Sequence, residues 1–164
     1  GSNPTRRTIY FHPNGETREK AMSDKLEERR STEKDEVRHY MAKVISSVDS
    51  RATATEAAQT MFDTGQGSVL IEKKGEYIGL LTEGDISKRV IAQIKKPIEV
   101  PVESIMSQPI ITIEANKLMV VAFLIMEKNK IRHIAVSEND KIIGMLSLRD
   151  FAKYYVRKFS KRTK

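Results

Sequence analysis

Shifting the sequence by 65 residues lays Met41–Val90 over Met106–Tyr155 without a gap. Eight pairs are identical: Met41/Met106, Ile45/Ile110, Ala57/Ala122, Met61/Met126, Gly79/Gly144, Leu81/Leu146, Asp85/Asp150 and Lys88/Lys153. Val37 matches Val102 just outside that window. The identities fall in register with the apolar pattern, which marks an internal duplication. This constrains the fold strongly. A unit of roughly 60 residues is marginal by itself, but two copies can cover each other's open faces.

Each copy reads as β-α-β-β-α, so the fold class is α+β. The predicted first strands are Val44–Val48 and Ile110–Ile113. Helices follow at Thr55–Asp63 and Leu118–Lys128, with apolar spacing carried by Ala57, Ala58, Met61 and Phe62, and by Val121, Leu124 and Ile125. Thr53 and Glu56 fit a capping box. Strand pairs are expected at Val69–Ile71 with Tyr77–Leu81 and at Ile134–Val136 with Ile142–Leu146. Lys74-Gly75-Glu76 and Asn139-Asp140-Lys141 form the turns between them. Final helices start near Gly84 and Arg149. The boundaries are an extension at 1–36, repeats at 37–94 and 102–157, a linker at 95–101 with Pro97 and Pro101, and a tail at 158–164. Two packed lobes predict two quasi-equivalent clefts at their seam, a common place for small-molecule sites.

The 164 residues carry a net charge of +7 and no cysteine. Disulfides, thiolate metal sites and cysteine nucleophiles are therefore excluded, and a reducing cytoplasm is the expected compartment. No run reaches the ~18 apolar residues of a membrane span, so no membrane partner is expected. No signal peptide opens the sequence, and Gly1-Ser2 resemble a cloning remnant. Charges cancel over 1–36, while Ala152–Lys164 holds six basic residues and no acidic one.

The chemistry concentrates where each last strand meets its helix. The pattern is Gly, two apolar residues, a hydroxyl residue, two variable residues and Asp. It reads Gly79-Leu80-Leu81-Thr82-Glu83-Gly84-Asp85, then Gly144-Met145-Leu146-Ser147-Leu148-Arg149-Asp150. By itself Ser/Thr-x-x-Asp is a helix capping box. Its recurrence in register points further. A helix N-terminus offers free N–H groups to phosphate, and a carboxylate can accept both hydroxyls of a ribose. Capping and binding are compatible in one residue.

With these residues in place, the chain resembles a tandem CBS domain pair, or Bateman module, over about Val37–Arg157. The openings Val37-Arg38-His39-Tyr40-Met41 and Val102-Glu103-Ser104-Ile105-Met106 are similar to that family's, as is Arg132-His133-Ile134-Ala135-Val136, with Ala135 where proline is usual. The resemblance implies a regulatory module that binds AMP, ADP, ATP, NAD or S-adenosylmethionine and requires no cofactor. Asp150 would hold a ribose and Ser147 the ribose or phosphate, with Ser47, Gly67, Ser68 and Val69 beside the adenine. Asp85 and Thr82 would do the same in the other cleft, with Thr112 and His133 near the adenine. Met145 and Leu80 are the implied apolar ligand contacts. Arg132, helped by Arg149, would meet phosphate; Gly67 and Gly84 stand at the matching positions of the first copy, so the two sites would differ in cationic supply. The resemblance also implies a homodimer and a protein target.

Catalysis is not expected. His12, His39 and His133 lack metal-ligand spacing, His133 reads as a structural histidine on a buried strand, and no Walker loop or nucleophile elbow is present. Two other readings compete with the sensor: a dimerisation scaffold without ligand, and nucleic-acid contact through the basic, aromatic tail Lys153–Lys164. For that last helix the alternative is Tyr155 and Phe159 packed inward at i, i+4. Asn14-Gly15 signals a turn after Ile9-Tyr10-Phe11, and Glu16–Arg30 reads as an exposed helix or a partner-binding arm.

Overall fold

The computed structural model describes residues 18–160; the expected turn at Asn14-Gly15, His12 and the end of the basic tail lie outside them. A polar helix α1 (Arg18–Glu33) precedes two lobes. The first lobe holds β1 (Ser47–Asp49), α2 (Ala54–Thr64), β2 (Ser68–Lys73), β3 (Glu76–Thr82) and α3 (Glu83–Ile86), which runs on into a π-type turn at Ser87–Ile91. The second repeats the order with β4 (Thr112–Glu114), α4 (Met119–Asn129), β5 (His133–Glu138), β6 (Lys141–Ser147) and α5 (Leu148–Ser160). Each sheet has its second strand in the middle, parallel to the first and antiparallel to the third. The β-α-β-β-α reading of both copies holds.

Local chemistry explains the joints. Lys74 and Gly75, like Asn139 and Asp140, all have positive φ, the type I′ geometry that suits two-residue hairpins. The Thr53–Glu56 capping box forms: the Thr53 N–H donates to Glu56 Oε2 at 2.7 Å and the Glu56 N–H to Thr53 Oγ1 at 3.3 Å. These hydrogen bonds hold the Glu56 carboxyl below its ordinary value. Gly65 closes α2 in the left-handed region.

The middle strands are buried on both faces. Val69 and Ile71 of β2 face the first lobe's helices, and Ile134 and Val136 of β5 face those of the second. Between them Leu70 and Ala135 point the other way, into a small core with Met145, Ile45 and Ile110 that joins the two sheets. This corrects the first strands. Ile45 and Ile110 pack in the inter-lobe core ahead of the strands proper, so the apolar runs expected at 44–48 and 110–113 mark lobe contact as much as ladder.

The lobes also exchange their lead-in segments. The Val37 N–H donates to Lys117 O at 2.8 Å, and the Ala42 N–H and Met145 N–H donate to each other's carbonyls at 2.8 and 3.0 Å. In the other direction, the Val102 N–H donates to Ala52 O at 2.8 Å, and Ser107 and Leu80 pair at 2.8 and 3.0 Å. Val37 is thus buried in the second lobe's core and Val102 in the first's. The expected linker is packed rather than free: the Ala54 N–H donates to Val100 O, and Val100 is buried.

The helices depart from expectation in one consistent way. Ala57 and Met61 of α2 are buried, but Ala58 is exposed and Phe62 is 82% exposed. In α4 the buried residues are Met119, Ala122 and Met126, while Val121 and Leu124 face outward. In α5 the inward residues are Phe151 and Tyr154, not Tyr155 and Phe159; the latter two are exposed and stack on each other at 4.4 Å. These helices carry more apolar residues than one lobe can cover. Tyr154 meets Tyr40 edge-on at 4.9 Å, and Lys158 pairs with Asp35, tying the end of α5 to the segment after α1.

Gly144 and Gly79 sit under the exchanged segments. A Cβ on Gly144 would stand 2.7 Å from the backbone oxygen of Ala42 and 2.6 Å from Met41 Sδ. On Gly79 it would meet Met106 Cγ at 2.8 Å and Ser107 O at 3.1 Å. We expect Gly144→Ala to cost about 1–3 kcal/mol by urea denaturation, the range for overpacking, and Gly79→Ala less. Shortening Met106 to alanine should recover much of the second loss. Shortening Met41 should recover little of the first, because the backbone contact remains.

Candidate functional site

Both motif ends are built as capping boxes. The Ser147 N–H and Oγ donate to Asp150 Oδ2 at 2.9 and 2.7 Å, and the Asp150 N–H returns to Ser147 Oγ at 3.3 Å. Thr82 and Asp85 repeat this at 3.0, 3.0 and 3.2 Å. In each carboxylate Oδ2 is therefore committed to the cap. Oδ1 faces only a distant cation, Lys153 Nζ at 3.8 Å or Arg89 Nη2 at 3.6 Å. One oxygen holds the helix start while the other keeps lone pairs for an incoming hydroxyl.

Both helix starts line one continuous cavity of about 770 Å³ between the lobes. Thr82, Asp85, Leu80, Gly67 and Ser68 line it from the first lobe. From the second come Ser147, Asp150, Arg149, Arg132, His133 and Met145. Three sequence candidates lie outside its lining. Val69 is buried in the first lobe's core, and Ser47 and Thr112 belong to the outer first strands β1 and β4. The cleft also gathers residues that sequence reading passed over: Lys130, Lys88, Lys153 and Glu83. Lys130 ends α4 in the left-handed region two positions before Arg132, and Glu83 occupies a variable position of the motif, so neither carried a pattern signal.

The cations are unevenly divided. Lys130, Arg132, Arg149 and Lys153 come from the second lobe and Lys88 alone from the first. Among the described residues Lys88, Lys130, Arg132 and Arg149 have no carboxylate within ion-pair distance. The Arg132 guanidinium crosses to the first lobe: a Cβ on Gly84 would stand 3.4 Å from its Nη2. Four unneutralised cations converging on one cleft favour an anion there.

His133 departs from its reading as a satisfied structural histidine. It is half-buried at the start of β5 in register with Ser147. Burial first, and then the neighbouring Arg132, push its imidazole below the ordinary value of 6.5, while Glu83, Asp150 and Asp85 act the other way. The unfolded chain therefore binds more protons than the folded one around that pH. The resulting stability is complete above pH 6.5 and is lost as the pH falls through it. Replacing His133 with glutamine should flatten this part of the acid slope, measured as the difference between wild-type and variant urea midpoints from pH 7.5 to 5.

The CBS-domain family pattern matches residues 37–92 and 102–157. An uncharacterised protein of Methanopyrus kandleri is 41% identical over 100 residues, covering 60% of this chain and 51% of its own length, so this chain spans about half of that relative. A CBS domain-containing protein of Bacillus subtilis is 27% identical over 116 residues, covering 71% of this chain and 82% of its own. Among solved structures, an uncharacterised conserved protein of Pyrococcus horikoshii superposes with a TM-score of 0.70 at 30% identity, covering 75% of this chain and 93% of its own. CBS domains are regulatory modules. No helix among the described residues is long and apolar enough to cross a membrane. With both halves of its duplication matched and its fold shared with a solved relative, this chain belongs to the CBS-domain family and carries two CBS domains in tandem.

Proposed function

We propose that this CBS pair senses an adenosine-containing nucleotide (AMP, ADP or ATP, with NAD and S-adenosylmethionine as further candidates) and signals its occupancy to a protein partner, without catalysing a reaction itself. The observation that carries the reading is the cleft, where capped carboxylates whose Oδ1 accepts no hydrogen bond among the described residues stand beside cations lacking a carboxylate partner. A ribose diol fits Oδ1 of Asp150, a phosphate fits Arg132 and Arg149, and the Leu80 and Met145 side chains offer the apolar contact an adenine needs. Because both lobes line the cleft, a bound nucleotide favours one lobe orientation by its differential affinity for it. That supplies the signal.

Calorimetric titration with the five ligands tests this. We expect saturable binding of at least one nucleotide. Arg132→Ala should weaken it at least about tenfold, since a hydrogen bond to a charged group contributes ~1.5–3 kcal/mol. Asp150→Ala should abolish it while lowering stability by about 1 kcal/mol through loss of the cap, so urea denaturation is run beside the titration. If no ligand binds to protein shown to be nucleotide-free, the capping role alone accounts for both aspartates and the chain is a scaffold.

The same proposal includes a homodimer through the outward helix faces. Val120, Leu124 and Val156 are each more than half exposed on neighbouring helices α4 and α5. A soluble monomer seldom leaves such a face bare. Leu124→Lys should halve the mass measured by light scattering after gel filtration, with an unchanged circular dichroism spectrum. A wild-type mass of one chain would remove the dimer from the proposal.

A further inference from the structure

Where the lobes meet in the cleft, the imidazole of His133 lies against a glycine of the other lobe. A Cβ on Gly67 would stand 3.1 Å from His133 Nε2 and 3.4 Å from its Cε1. The same point is 3.3 Å from Glu83 Oε2. Nε2 and a carboxylate oxygen thus bracket one vacant side-chain position at the inter-lobe seam, with no ion pair closed between them. Among the described residues neither ring nitrogen makes a hydrogen bond, and neither is a fully buried orphan. The ring faces the cleft with both protonation states open to it.

We infer that the cleft takes up a phosphate-bearing ligand and a proton together, with the His133 imidazole as the group that gains the proton from solvent. This rests on the nucleotide reading above and adds its regulation: affinity rises as the pH falls. The groups around the ring give the sign. Arg132, the residue just before β5, repels a proton there; Glu83 and Asp85 at the start of α3 and Asp150 on α5 attract one. Lys130, Arg149, Lys88 and Lys153 line the same cleft and add positive charge. A phosphate seated against Arg132 cancels the repulsive neighbour and adds an acceptor for the imidazolium, and these two electrostatic changes favour the proton. Burial favours the neutral ring in the free protein, and the anion works against it. By linkage the proton in turn tightens the anion.

The test is titration calorimetry with ATP, without magnesium, from pH 8 to 6 in two buffers of different ionisation enthalpy, on wild type and His133→Gln. The terminal phosphate itself titrates near pH 6, and the variant carries that contribution unchanged, so the difference isolates the histidine. Wild-type affinity should rise severalfold more than the variant's as the pH falls, at most about tenfold per pH unit for one proton. Proton uptake on binding should be greater in the wild type than in the variant, by at most one proton per site. Adenosine, which has no phosphate, should bind with little pH dependence. In parallel, NMR titration of the imidazole in unmodified protein should show His133 titrating at a higher pH with ATP bound than without it, which removes any dependence on the variant's folding. Equal pH slopes in the two proteins, or an imidazole whose titration ATP does not move, overturn the proton link and leave nucleotide sensing intact. Absence of ATP binding at every pH overturns both.

Discussion

The fold depends on the exchange of lead-in segments between the lobes. A single repeat lacks the residues that finish its own core: Val102 completes the first lobe and Val37 the second. The same segments pair with the outer strands β3 and β6 through Leu80–Ser107 and Met145–Ala42. Each of those edges would otherwise present unpaired N–H and C=O groups. The glycines of the motifs exist because of this contact. Gly79 and Gly144 lie where a methionine and a backbone carbonyl of the other copy arrive, so the residue that opens each motif serves packing, while the hydroxyl and Asp that close it serve the cleft.

From that exchange the cleft follows. Leu80 and Met145 sit between the glycine and the hydroxyl residue, and each is fixed by a hydrogen-bonded pair with the other copy's lead-in. The helix starts at Thr82 and Ser147 are therefore held toward the seam, and the capping boxes fix both carboxylates there in one rotamer. The cap alone fixes that orientation, so the proposed binding would need no further positioning residue. Pseudo-symmetry is broken in the last helix, which is four residues and a π-type turn in the first copy but thirteen residues in the second, and also in charge. Arg132 and Arg149 stand in the second copy where Gly67 and Gly84 stand in the first, and the Arg132 and His133 side chains occupy the space those two glycines leave. The two copies thus line one cavity with most of its cations on the second lobe's side.

Much of this was legible in one sequence. The 65-residue shift gave both lobes, the hairpin turns, the capping boxes and the motif that reaches the cleft. Illegible was anything that depends on one copy touching the other. The apolar lead-ins at Ile45 and Ile110 read as strands because periodicity does not say which lobe a side chain serves. Val69 was carried to the site by position, yet alternation along β2 turns it into the core while Ser68 faces the cleft. Helices α2, α4 and α5 each carry apolar residues on more than one face, so spacing alone could not say that Met61 and not Phe62, or Tyr154 and not Tyr155, turns inward. Lys130 and Glu83 reach the cleft only because the lobes converge, and no local pattern announces them.

The asymmetry bears on the proposed nucleotide response. A ligand held only by one lobe would leave the lobe orientation unchanged, because it gains no differential affinity from that orientation. Here the cations of the cleft belong mainly to the second lobe, while Gly84 and Gly67, against which Arg132 and His133 rest, belong to the first. Drawing Arg132 toward an anion changes its contact with Gly84, and charging His133 strengthens its attraction to Glu83 across the seam. Both effects act between the lobes rather than within one. The end of α5 that leaves the cleft is tied through Lys158 and Tyr154 to Asp35 and Tyr40 beside α1. Packed contacts therefore run from the cleft end of α5 to the segment that follows the N-terminal helix.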